Sequence, residues 1–160
     1  MIDEASSAGV TALRRSSTRR RTVPSRTPLR RRYGQALAQR NALLSRLAGG
    51  QLGEGIGVAH VDVGPDHLNP NGVVHGAVLF ALVDTARGKA TMSVVDEPGR
   101  YCASIEVSLR FIRPAVAGHL AATATVVKRG RNVVHLEARV VGDDERLIAT
   151  AAGTFAILGG

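Results

Sequence analysis

One cysteine, Cys102, stands in 160 residues, so no disulfide can form within the chain. A chain without a disulfide framework suits a reducing compartment, and a cytoplasmic protein is expected. Tryptophan is absent, and the aromatics amount to three Phe and two Tyr. Surfaces that stack single-stranded nucleic acid need aromatic platforms, which are scarce here. Also missing is any charge-free run of 18 apolar residues, so no membrane span is expected. The first residues lack the apolar segment of a secretory signal. His60, His67, His119 and His135 are scattered and show no metal-ligand spacing, so no metal site is expected.

What is abundant is arginine, and its position decides its meaning. The net charge is +8, yet residues 1–34 hold nine Arg against only Asp3 and Glu4. Residues 35–160 carry twelve basic and eleven acidic residues and are nearly neutral. The basicity therefore belongs to a tail over 1–34, ahead of a folded domain over 35–160. Such a tail binds polyanions weakly and in a salt-dependent way, which does not make the domain a nucleic-acid-binding one. Its Arg, Ser and Thr content is shared with organelle transit peptides. Asp3, Glu4 and the lack of an amphipathic stripe point instead to a disordered extension, too polar to bury anything.

The hydrophobic fraction, 44%, is that of an ordinary globular domain, with a core drawn from Val, Ala, Leu and Ile. Leu37, Leu43, Leu44 and Leu47 predict a short helix over 35–48 that stops at Gly49-Gly50. Ile56, Val58, Val61 and Val63 predict a strand over 55–64. A loop follows, then a helix over 75–95 that is apolar nearly all round: Val78, Leu79, Phe80, Leu82, Val83, Ala86, Ala90, Val94. Such a helix is normally buried on every side. After it the period changes to two. Tyr101, Ala103, Ile105, Val107, Leu109 and Phe111 are expected on one face of a long strand, and Cys102, Ser104, Glu106, Ser108 and Arg110 on the other. Strands over 119–128, 132–141 and 146–158 follow, joined by turns at Arg129-Gly130-Arg131 and Gly142-Asp143-Asp144-Glu145. This order predicts an α+β fold, with four last strands in an antiparallel meander and the sheet wrapped around the long helix.

The segment Asn69-Pro70-Asn71-Gly72-Val73-Val74-His75-Gly76, with Asp84 eight residues further on, carries the chemistry. It reads as a loop turning into that helix, with one carboxylate in the helix's middle. An ionised Asp in an apolar setting is costly unless something compensates it. Either it is paired, with Arg87 three residues on as the obvious partner, or it acts on a ligand.

These residues, in this element order, resemble the hotdog-fold acyl-CoA thioesterases, and among them the phenylacetate-degradation type. The resemblance covers about residues 50–158. It rests on Asn69, Gly72, His75-Gly76-Ala77, Leu82-Val83-Asp84-Thr85-Ala86, Ser104, Leu109-Arg110-Phe111-Ile112-Arg113-Pro114 and Gly130-Arg131. One departure is Ala77, where the family has a second glycine; its methyl group would narrow the acyl pocket. The resemblance implies a curved antiparallel sheet around a central helix and hydrolysis of an acyl- or aryl-CoA. No cofactor is required, because coenzyme A is part of the substrate. The implied partners are further copies of the chain, a dimer and then a dimer of dimers.

A thioester carbonyl becomes an oxyanion on attack and needs donors already aimed at it. The first turn of a helix offers free N–H groups at a positive dipole end, and Gly76 sits there with no Cβ to block approach. Asp84 serves as general base for water or as nucleophile; the sequence leaves both open. Asn69 and Ser104 are candidates to orient water, the carbonyl or Asp84. His75, Ala77 and Phe80 are expected beside the substrate. Arg129 and Arg131 are candidates for the coenzyme A phosphates, or simply solvated turn residues. Gly76 and Asp84 lie about 12 Å apart along a helix, too far to act on one carbonyl. The site is therefore expected between two chains, Asn69 and Gly76 from one and Asp84 and Ser104 from the other.

Blander roles stand beside these. His75 can cap the helix, Asn69 can form an Asx turn, Ser104 can be a solvated strand residue, and Cys102 reads as a packed thiol. Two rival functions share the fold. One is a hydratase or dehydratase pairing His75 with Asp84; the other is a non-catalytic acyl-CoA sensor using the Arg-rich tail.

Overall fold

The computed structural model describes residues 47–95 and 97–159. The tail and nearly all of the helix predicted over 35–48 lie outside them. Ala48 instead opens a strand, β1 (Ala48–Gly53), which the glycines had suggested was a stop signal. The remaining strands are β2 (Ile56–Asp62), β3 (Tyr101–Phe111), β4 (His119–Arg129), β5 (Val133–Gly142) and β6 (Leu147–Leu158). A single helix, α1 (Gly76–Met92), lies between β2 and β3 among the described residues. None of this is a helix long and apolar enough to cross a membrane.

The six strands form one antiparallel sheet in the order β1-β2-β4-β5-β6-β3. The three strands β4, β5 and β6 make the expected meander. The fourth, β3, does not join it on the β4 side: it pairs with β6 at the far edge. The reason lies in the connection after it. Ile112 and Arg113 donate to Ile148 O, Val74 donates to Ala115 O, and Val63 donates to Gly118 O. That segment crosses the end of the sheet, so the chain leaves one edge and re-enters beside β2.

Helix α1 packs on the sheet through Val78, Leu79, Leu82, Val83, Ala86 and Ala90, all buried. Opposite them stand Ala59, Ala122, Ala124, Ala138 and Ala151, small residues that let the helix lie close. The tightest approach is at Gly57, where a Cβ would run into Ala86 O and Ala90 N. Each fully buried Leu or Val in this layer contributes about 2 kcal/mol (Leu82 and Val83 show no exposed surface). The helix ends at Met92 rather than near Val95 because Ser93 diverts the chain. Its Oγ donates to Ala90 O at 2.8 Å and accepts from Gly55 N–H at 2.8 Å.

Two expectations about faces change. The helix is not covered on every side, since Ala77 is exposed and Phe80 keeps 45% of its surface in solvent. In β3 the alternation breaks at a bulge between Ser104 and Glu106. Cross-strand partners in an antiparallel pair share a face. Cys102 stands opposite the buried Ile157 and Ser104 opposite the buried Phe155, so both share the α1 side with Val107 and Leu109. The extra residue, Ile105, is 57% exposed.

Candidate active site

The loop before α1 is built from its own polar groups. Pro65–His67 form one turn of 3-10 helix, and His67 is buried. Its Nδ1 accepts from Gly64 N–H at 2.8 Å and its carbonyl accepts from His75 N–H at 2.8 Å. Asn69 Oδ1 accepts from Asn71 N–H at 2.9 Å and Val73 N–H at 3.3 Å. That is the Asx turn of the plainer reading. Gly72, at φ +74°, adopts the left-handed conformation that closes the turn. The bridge Leu68–Val74 then fixes where α1 begins.

At that beginning the amides are not equivalent. Ala77 N–H donates to His75 Nδ1 at 3.0 Å, and Val78 N–H to His75 O at 2.9 Å. His75 is thus the N-cap. Gly76 N–H meets no acceptor among the described residues. The Phe111 ring occupies the space a Gly76 side chain would need, with Cζ 3.0 Å from an ideal Cβ. Gly76 and Phe111 border a groove of about 380 Å³, walled by Val73, Leu79 and Ile112 and edged by Arg113. That volume sits at the small end for a ligand site. Its apolar wall meets the Arg113 edge and the Gly76 N–H, unpartnered among the described residues, at the positive end of a helix.

Asp84 lies two turns along α1 and is half-buried. Its Oδ1 is buried and has no hydrogen-bond partner among the described residues. The ion pair with Arg87 does not form: Arg87 Nη2 donates instead to Glu106 O at 3.2 Å. From β3, Cys102 reaches the same region, its Sγ 3.8 Å from Gly88 O. Burial and then the Asp84 charge push the Cys102 thiol above the ordinary thiol range. A packed, poorly ionised thiol is not a nucleophile at neutral pH.

The other candidates disperse within one chain. Ser104 is exposed on the edge strand and makes no side-chain hydrogen bond among the described residues. Arg129 pairs with Glu97 at 3.5 Å, and Arg131 is exposed in the β4–β5 turn. Glu97 follows the C-terminal end of α1, so this hairpin lies about a helix length, roughly 25 Å, from Gly76. Metal-binding clusters are absent among the described residues. Two residues of the site region had gone unweighed as site residues: Arg113, inside Phe-Ile-Arg-Pro, lines the groove, and His67 braces the loop. Arg87, expected to pair with Asp84, is buried without that partner. Of the first two, only Arg113 lay within a motif that could have flagged it.

The sequence profile of the thioesterase superfamily matches residues 71–149, the span from this loop to β6. The acyl-coenzyme A thioesterase PaaI of Escherichia coli K12 is 30% identical over 110 residues, 68% of this chain and 76% of that protein. The chain belongs to the thioesterase superfamily. It is by that membership a thioester hydrolase. Solved structures agree on the hotdog architecture. The E. coli PaaI protein from the phenylacetic acid degradation operon superposes with a TM-score of 0.66 at 27% identity, covering 81% of this chain and 93% of that one. The conserved protein PA5202 of Pseudomonas aeruginosa does so at 0.66 and 32%, covering 74% and 93%.

Proposed function

We propose that this thioesterase hydrolyses acyl-CoA, and that two copies of the chain complete each active site. The observation that carries the reading is the split between a free amide and a free carboxylate. Gly76 N–H and Asp84 Oδ1 are both unpartnered among the described residues, yet they are separated by eight residues of one helix. That separation, about 12 Å, exceeds what one carbonyl can bridge. Two α1 helices side by side and antiparallel bring one chain's Gly76 to the other's Asp84. The surfaces such an arrangement would cover are open. Phe80 and Ala77 face outward on α1, and β3 is an eleven-residue edge strand with Tyr101, Ile105 and Phe111 exposed. A long edge of this kind invites pairing with another chain. A further pairing of dimers fits the family and rests on that analogy alone.

In this scheme the thioester carbonyl lies in the groove beside Phe111 and accepts from Gly76 N–H. The dipole of α1 and that donor stabilise the developing oxyanion; one such donor is worth about 3 kcal/mol in the transition state. Asp84 of the other chain deprotonates water, which attacks the carbonyl as the C–S bond breaks and the coenzyme A thiolate leaves, or Asp84 itself attacks with loss of that thiolate and water then cleaves the resulting anhydride. Ser104, on the α1 side of β3, orients that water. Asn69 contributes by shaping the loop, since its Oδ1 is taken up by backbone amides. His75 fixes the helix start through its Nδ1, which leaves it poorly placed as the acid–base partner of a hydratase. The reaction calls for no cofactor and no metal. Arg113 at the groove edge, and Arg129 and Arg131 on the hairpin, are the cations available to coenzyme A phosphates. We place the activity in the cytoplasm, the reducing compartment that a chain with a single cysteine suits.

The test is thiol release across a panel of aromatic and aliphatic acyl-CoA substrates. Turnover on at least one is expected, with Asp84→Asn lowering kcat 100-fold or more, on the order of 3 kcal/mol. An enoyl-CoA absorbance change without thiol release would overturn the reading in favour of a hydratase.

A further inference from the structure

Arg87 is fully buried on α1, one turn beyond Asp84. Its guanidinium carbon lies 4.9 Å from the centre of the Phe155 ring, and Nη2 donates to Glu106 O at 3.2 Å. Its Nε and Nη1 have no partner among the described residues. Burial lowers its pKa from the ordinary arginine value, while the charges of Asp84 and Glu106 oppose that shift. A buried cation with unmet donors is not a stabilising choice; an apolar side chain of like volume usually does as well or better. Its presence calls for a reason other than stability.

The reason is in what it holds. Glu106 is the residue at which the β3–β6 register shifts, and its carbonyl accepts from the helix. Arg87 supplies a donor to that carbonyl from the helix. Opposite, Gly153 leaves the space: a Cβ there would collide with Glu106 O and the guanidinium. Bulge, glycine and arginine therefore form one unit. Were the alternation unbroken through the same residues, Ser104 would share the outward face of Glu106, two residues on. With the bulge, Ser104 stands opposite Phe155 on the α1 side.

Resting on the functional reading above, we infer that Arg87 is a positioning residue of the hydrolytic centre: it clamps the β3 bulge that turns Ser104 to the side of the sheet carrying Asp84. It touches no reacting atom and acts through Ser104.

The test is a double-mutant cycle on acyl-CoA turnover with the full-length chain. Arg87→Met is expected to lower kcat about tenfold with KM changed less than twofold, and Arg87→Lys, which keeps a cation and a donor, to recover most of the loss. Ser104→Ala is expected to lower kcat similarly, and the double variant to be no slower than the slower single one. Wild-type kcat in Arg87→Met, or losses that multiply in the double variant, would overturn the inference. Should Arg87→Met fail to fold, Arg87→Gln takes its place in the cycle and is read the same way. An inactive Asp84→Asn beside a fully active Arg87→Met sinks this inference alone; a fully active Asp84→Asn sinks the functional reading itself.

Discussion

The two faces of α1 are built to opposite rules. Toward the sheet, the helix meets Gly57 and a field of alanines with no room for a methyl group. Away from it, Ala77 and Phe80 stand exposed and Asp84 keeps a buried oxygen without a partner among the described residues. The first face makes the fold, and the second is unfinished as a single chain. A substitution on one should cost stability and leave chemistry as the consequence; a substitution on the other should cost chemistry and leave the fold intact.

The contrast breaks most visibly at Gly57. Gly57→Ala sets a methyl group against the backbone of α1, and overpacking against backbone has no cheap relief. A loss of about 3 kcal/mol or more is expected in urea unfolding, at the top of the usual range for such changes. Unchanged stability would mean that the helix does not lie as close as described. Next is the outer face itself. Phe80→Glu should leave the circular dichroism spectrum unaltered while shifting the molecule to monomer in light scattering and removing most turnover. A monomer with full activity would show that the outer face is no interface. Gly76→Ala is smaller in effect, about tenfold in kcat, because the added Cβ meets the movable end of the Phe111 ring. A Phe111→Ala background should relieve part of that loss.

The smallest expected effect concerns Cys102, whose thiol is held above its ordinary range by burial and by Asp84. A group whose folded pKa is raised contributes stability that is present below its unfolded pKa and declines as pH rises toward the folded one. Between pH 7.5 and 9.5 the wild type should therefore lose slightly more stability than Cys102→Ala. Equal losses in the two proteins would mean that the thiol is not shifted.

Periodicity carried much of the fold: β4, β5, β6 and α1 were legible to within a few residues, because apolar spacing and turn chemistry agreed at each. Two features were not. Strand β1 reads Ala-Gly-Gly-Gln-Leu-Gly and has no pattern of its own; it forms because β2 offers it an edge. The bulge in β3 is invisible to alternation, which assumes an unbroken period of two, and so Ser104 was set on the wrong face relative to Val107. Pairing of β3 with β6 was hidden for a related reason, since a seven-residue connection does not declare which edge it reaches. In the site, Gly76 and Asp84 stood out by position and chemistry. Asn69 had two readings of equal spacing, and only the geometry of its Oδ1 shows the Asx turn. Arg87 looked like the natural partner of Asp84 by helical spacing, but its length carries the guanidinium past the carboxylate to Glu106.

The central claim is that one chain's amide and another's carboxylate serve the same substrate, and subunit mixing tests it most directly. Gly76 is the first residue of α1, where proline is tolerated and removes the N–H while its ring presses on Phe111, and His75 already has the extended backbone that precedes proline well. Gly76→Pro and Asp84→Asn should each be nearly inactive alone. Mixed, unfolded and refolded together in equal amounts, they should regain up to about a quarter of wild-type turnover, because half the dimers are hybrids with one intact site of two. No recovery in a mixture proven to contain hybrids would contradict a site shared between chains.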